Sequence, residues 1–200
     1  MKKLLALFFF IFALSFIQSQ MLKGDELLWS HSRKLTAEDF QIKKVDSFTP
    51  LKSTFILSWE LNGFGVFNKN FNKNITNKFI KSASIIDENS TILADYLEYQ
   101  QTSFDMAEIY ARKMREDLFL NKSKLWKGFD FASEILKIRL NEYYKVQAMM
   151  DSQTNSGTEK AKLEYWKEII AAELLKTEQF NSENEAKINI KNNERTNPVF

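Results

Sequence analysis

The sequence predicts an α+β fold, a small and mainly antiparallel sheet followed by three helices. Residues 53–61 and 78–86 alternate between apolar and polar side chains, the period of half-buried strands. Beyond residue 90 the apolar residues recur at steps of three, four or seven in three successive blocks, the period of amphipathic helices. Strands come first and helices second.

The chain opens with Lys2 and Lys3, an apolar stretch over residues 4–17 and the polar run Gln18-Ser19-Gln20. This order reads as a secretory signal peptide over residues 1–19, with cleavage before Gln20. Its apolar stretch falls short of the ~20 residues a spanning helix needs. The domain is expected over residues 20–180. Trp29, Leu35 and Phe40 are its first expected buried side chains, and Ser32 or Thr36 is placed to start a short turn over Ala37-Glu38-Asp39. His31 reads as an exposed loop residue.

In residues 53–61, Ser53, Phe55, Leu57, Trp59 and Leu61 share one face of a strand. Asn62-Gly63 signals a turn, and residues 64–67 a return strand. Residues 68–77 are rich in Asn and Lys and read as a polar loop, before a single strand over residues 78–86.

The first helix is expected over residues 91–119. Leu93, Leu97, Phe104, Ala107, Ala111, Met114 and Leu118 form its stripe, with Ser90 or Thr91 as N-cap. A second is expected over residues 125–149, interrupted near Gly128, with Phe131, Ile135, Leu136, Leu140, Tyr143, Val146 and Met150 inward. Residues 151–157 read as a polar loop. Thr158 would cap a third helix reaching Phe180, which buries Leu163, Trp166, Ile169, Ile170, Leu174 and Leu175. Residues 181–200 are mostly Asn, Glu and Lys and read as a disordered tail.

The 28 basic and 26 acidic residues give a net charge of +2, and loss of Lys2 and Lys3 with the leader makes the domain formally neutral. Neutrality argues against nucleic acid or an anionic membrane as partner. With 0 Cys an exported domain has no disulfide and relies on its core. No Gly-rich phosphate loop and no internal repeat is present.

Three segments carry a resemblance. Tyr99-Gln100-Gln101-Thr102-Ser103 runs into Phe104-Asp105, and Tyr110-Ala111-Arg112 follows on the same helix. Upstream stand Trp29, Arg33-Lys34-Leu35-Thr36 and Asp39-Phe40, and downstream Met150-Asp151-Ser152-Gln153-Thr154-Asn155-Ser156-Gly157. In this order and spacing, over roughly residues 27–175, the chain resembles a bacterial secreted family of predicted zinc-dependent proteases, domain of unknown function 922. That family's helix reads His-Glu-Gln-x-His-Phe-Asp, its opening Trp…Arg-x-Leu-Thr-x-x-Asp-Phe, and its later segment Tyr-Asp-x-x-Thr-x-His-Gly. The resemblance implies a zincin-like frame. It puts Tyr99, Ser103 and Ser156 at the three zinc-ligand positions and Gln100 at the general base.

Those four residues remove the chemistry. Zinc in such sites takes imidazole, thiolate or carboxylate ligands, and a Gln side chain cannot take a proton from water at neutral pH. The chain has 1 His in all. The leading expectation is therefore an exported, periplasmic or extracellular pseudo-protease with no cofactor and no metal, which binds a protein or peptide in the inherited cleft. A divergent hydrolase using Tyr99, Ser103 and Ser156, or a zinc-dependent protease relative using unconventional residues, is the second reading, although a serine nucleophile needs a base such as His or Lys. The third is an exported α+β interaction protein unrelated to the family.

Three smaller readings complete the set. Glu108 and Arg112, four apart, form an exposed helix pair, or a buried one beside the former site. Asp105 is a group supporting that site or plain surface charge. Glu98, Asp105 and Asp151 could together hold calcium or magnesium.

Overall fold

The computed structural model describes residues 24–44, 51–61 and 69–188. The expected signal peptide, the Asn62-Gly63 turn and the 64–67 return strand lie outside these residues.

The sheet is built around a strand whose alternation is strict. In β4 (Ile75–Ile80) Ile75, Asn77 and Phe79 are buried and the residues between them half-buried. It is flanked by β1 (Glu26–Leu28) and β3 (Phe55–Trp59), both antiparallel to it, in the order β1-β4-β3. The register sets Leu27 and Phe55 on either side of Phe79, and Leu57 beside Asn77. A second, two-stranded parallel sheet pairs β2 (Ile42–Lys43) with β5 (Ile85–Ile86). The architecture is thus α+β as expected, a small antiparallel sheet followed by three main helices.

Two strand boundaries differ from expectation. β4 starts at Ile75, inside the stretch read as loop, because Asn77 finds a buried partner: its Nδ2 donates to the Phe104 carbonyl at 3.0 Å. The strand expected over 78–86 is split by a 3-10 turn, Lys81–Ala83. Ser84 holds the split, donating its Oγ to the Ile80 carbonyl at 2.6 Å and accepting from the Thr54 amide at 3.0 Å.

Helix α1 (Leu93–Leu120) is the axis of the molecule. Its 28 residues span about 42 Å. It packs the sheet on one side and the two later helices on the other, so it is buried nearly all round between Tyr99 and Arg115. Its N-cap is Ile92, not Ser90 or Thr91; Ser90 Oγ instead accepts from the Ile92 amide at 3.3 Å, one step outside the helix.

Helix α2 (Asp130–Thr154) follows a 3-10 segment, Lys122–Lys127, and Gly128, whose φ of 130° makes the expected break. It runs five residues past the expected end at Met149, so Asp151 is helical rather than in a loop. Left-handed Asn155 closes it in a Schellman arrangement, with the Ser156 amide on the Asp151 carbonyl at 2.9 Å.

Helix α3 (Lys160–Lys176) starts from Glu159, because Thr158 Oγ1 is turned back to the Asn155 carbonyl at 2.9 Å. A 3-10 turn, Glu178–Phe180, extends it. Leu163, Trp166, Ile170 and Glu173 face inward, whereas Leu175, expected inside, is 76% exposed.

One apolar core fills the space between the three helices and takes in Leu57, Phe71 and Ile75; a second joins Trp29, Leu35, Phe40, Phe79, Ile86 and Phe104. Trp29, Leu35 and Phe40 are buried as expected. The turn over Ala37–Asp39 is capped by Thr36, with Asp39 accepting from the Thr36 amide at 2.9 Å. Residues 181–188, expected to start a disordered tail, are packed: Asn72 Nδ2 donates to the Gln179 and Asn184 carbonyls, each at 3.0 Å, and Ile188 is buried. Residues 189–200 lie outside the description. No helix among the described residues is long and apolar enough to cross a membrane.

Candidate functional site

Tyr99 and Ser103 sit four apart on α1 and face α2, where Gln147 and Asp151 sit four apart in turn. The four side chains meet. Tyr99 donates its phenol to Asp151 Oδ1. Gln147 Nε2 lies 2.7 Å from the same Oδ1, 3.2 Å from Ser103 Oγ and 3.3 Å from the Tyr99 oxygen. Ser103 Oγ donates to the Tyr99 carbonyl at 3.1 Å.

Ser156 joins from the turn after α2. There Asn155, Ser156 and Gly157 all have positive φ, of 48°, 53° and 92°. The turn is pressed on Tyr99: a Cβ on Gly157 would lie 2.6 Å from Tyr99 Cβ. Tyr99, Gln100, Ser103 and Ser156 therefore line one open cavity of about 700 Å³. Residues 51–55 at the start of β3, and Tyr96, Tyr143, Tyr144, Gln147 and Asp151, complete the wall.

The electrostatics fix which groups donate. Burial first, and the Asp151 carboxylate second, push the Tyr99 phenol well above its ordinary range. It stays protonated at neutral pH and donates to Asp151. Tyr143 is raised by burial and by the neighbouring Tyr144 and Asp151. In the wall Gln147 Oε1 is buried with no hydrogen-bond partner among the described residues, and the buried Tyr96 and Ser53 hydroxyls lie beside each other. An unpartnered buried acceptor costs free energy unless something in the cavity satisfies it.

The other expected sites are not assembled. Glu98 pairs with Lys167, Asp105 with Trp29, Gln101 and Lys34, and Asp151 with Tyr99, so the calcium or magnesium set is dispersed. Among the described residues no cluster of three His, Cys, Asp or Glu is placed to hold a metal. His31 is exposed, as expected, and borders a separate groove between α1 and α3. The Glu108 and Arg112 pair is buried rather than exposed, each side chain 1% accessible. Arg115, equally buried, joins it at 2.6 Å from Glu108 and donates to the Ile75 and Phe180 carbonyls.

The segments that carry the resemblance hold one another. Trp29 Nε1 donates to Asp105 Oδ1 at 2.8 Å, Gln101 Oε1 accepts from the Leu35 amide at 2.8 Å, and Arg33 pairs with Asp39 at 2.6 Å. Thr154 Oγ1 receives the Gly157 amide at 3.1 Å and so shapes the turn that carries Ser156. Comparison with protein families, curated proteins and solved structures gives no match to this chain.

Sequence reasoning missed Gln147, Tyr144 and the pairing role of Asp151. A signal existed: Tyr143, Gln147 and Asp151 lie at i, i+4 and i+8, a polar stripe on a helix otherwise read for its apolar face.

Proposed function

We propose that this chain is an exported, non-catalytic metalloprotease-like domain that binds a protein or peptide. One observation supports it most: the four positions that would carry zinc chemistry in the resembled family line a single cavity. Tyr, Gln and two Ser occupy them, three of these side chains without acid–base capacity at neutral pH and the fourth a phenol tied to Asp151. Tyr99, Ser103, Gln147 and Asp151 are tied to one another by hydrogen bonds. Export rests on the leader read in residues 1–19.

A peptide suits the cavity because β3 is an edge strand among the described residues and enters the cavity wall at Phe55. An edge strand offers unpaired backbone groups to an added strand. The convergence of Tyr99, Ser103 and Ser156 also favours a hydrolase as second reading, but no His or Lys stands within the network to activate either serine.

Elemental analysis of the purified domain after dialysis against trace zinc tests the reading. Zinc far below one per chain is expected; a stoichiometric, tightly held zinc overturns it. A hydrolase screen comparing wild type with Ser103→Ala and Ser156→Ala tests the second reading, which stands only if turnover is present and either change abolishes it.

A further inference from the structure

The cavity is asymmetric in its unmet hydrogen-bonding needs, and the asymmetry points to a ligand. Both hydrogen bonds to Asp151 land on Oδ1, from Tyr99 and from Gln147. Its Oδ2 receives none among the described residues. Gln147 spends its amide N–H groups within the network and leaves Oε1 buried and unpartnered. One buried acceptor, Gln147 Oε1, thus lacks a donor, and a carboxylate oxygen of the half-buried Asp151 is open to one from the cavity. The neighbouring Ser53 and Tyr96 hydroxyls can accept as well as donate.

The surroundings favour a positive donor. Tyr96, Tyr99, Tyr143 and Tyr144 line the same cavity. The Tyr143 and Tyr144 rings lie 5.3 Å apart by centroid, and Tyr144, 59% exposed, stands at the solvent edge. Aromatic faces attract a cation within about 6 Å, more strongly as it is desolvated. Lys52 is the basic residue among the lining ones, and its side chain is exposed, so water screens it. Asp151 is half-buried, where its field is less screened.

We infer that the cavity receives a basic side chain, arginine or lysine, of the bound peptide, held by Asp151 and Gln147 and flanked by the tyrosine rings. The inference rests on the peptide-binding reading and deepens it. A guanidinium or ammonium carries several N–H donors and no acceptor, which matches the unmet groups of this wall.

The test is selection of a phage-displayed random peptide library on the purified domain. The enriched peptide is then measured by fluorescence anisotropy against wild type, Asp151→Asn and Tyr144→Ala. One enriched position is expected to be Arg or Lys. Replacing that Arg by its neutral isostere citrulline, or that Lys by its acetylated form, is expected to weaken binding to wild type about tenfold or more. On Asp151→Asn the same swap is expected to change little. The swap on wild type leaves the protein unchanged, and Asp151→Asn is read only against its retained binding of the neutral peptide, which shows that it is folded. Tyr144→Ala, at an exposed position, is expected to weaken the basic peptide more than its neutral form. Enriched peptides without a basic residue overturn this inference and leave peptide binding standing. A neutral swap that costs the same on Asp151→Asn also overturns it, since the cation then sits elsewhere. A library that enriches nothing overturns both readings.

Discussion

At Gly157 a single hydrogen decides whether the cavity keeps its shape. The residue has a φ of 92° and its missing Cβ would fall 2.6 Å from Tyr99 Cβ, a contact between two backbone-anchored atoms that no rotamer can relieve. Gly157→Ala is expected to destabilise the fold by ~1–3 kcal/mol, read from urea unfolding. It should also displace the turn that presents Ser156. Ser156→Ala, at the preceding residue, is expected to stay within about 0.5 kcal/mol, because its side chain makes no hydrogen bond in the network. A reversed order of the two effects would show that the turn is held by Ser156 rather than by its fit on Tyr99.

Between elements the strongest tie is ionic and buried. Glu108 on α1 accepts from Arg112 at 3.3 Å and from Arg115 at 2.6 Å. Arg115 continues to β4 through the Ile75 carbonyl at 2.7 Å and to the last 3-10 turn through Phe180 at 2.8 Å, while Arg112 reaches the Leu174 carbonyl at 2.6 Å. One cluster therefore locks α1 to the sheet, to α3 and to the segment after it. Glu108→Gln leaves the buried Arg115 guanidinium without a counter-charge and Arg112 with Glu178 alone, at 2.9 Å, and is expected to cost ~3–5 kcal/mol. Lys34→Ala breaks an ion pair whose lysine is 58% exposed, at 3.4 Å from Asp105, and is expected to cost less than ~1 kcal/mol. Chemical denaturation of both variants checks the ranking; equal costs would mean that the buried cluster contributes no more than a surface pair.

Over the whole molecule, burial couples the fold to alkaline pH. Tyr96, Tyr99, Tyr110 and Tyr143 are all raised above the ordinary phenol value of 10.0, each chiefly by burial. A group raised on folding contributes stability that is fully present below its unfolded value and is lost as pH climbs above it. Lys113 acts in the opposite sense, since burial lowers it below 10.5 and rising pH relieves that cost. Four phenols outweigh one ammonium, so stability is expected to fall above about pH 10. Absorbance near 295 nm should show these four tyrosines ionising together with the loss of far-UV circular dichroism. Their ionisation well before unfolding would mean that the tyrosine-lined wall is open to water.

The secondary structure was largely legible because its signals are local. A period of two marked β3, and a period near 3.6 marked all three helices within a few residues. The errors fall where a distant partner outweighs local pattern. Asn77 looked like loop and is strand because Phe104 receives its amide. Glu108 and Arg112 looked like a surface pair and are buried because α1 is covered from every side by elements far away in sequence. Asp151 looked like loop and is the acceptor of the cavity. The amino-acid order alone was enough to state the fold class and the core positions of the first segment, and to raise Tyr99, Gln100, Ser103 and Ser156 as members of one site. Their convergence could be decided only in three dimensions. Tyr99 and Asp151 are 52 residues apart, and what joins them is the packing of α2 along α1, an apolar effect that no side-chain pattern at either site encodes.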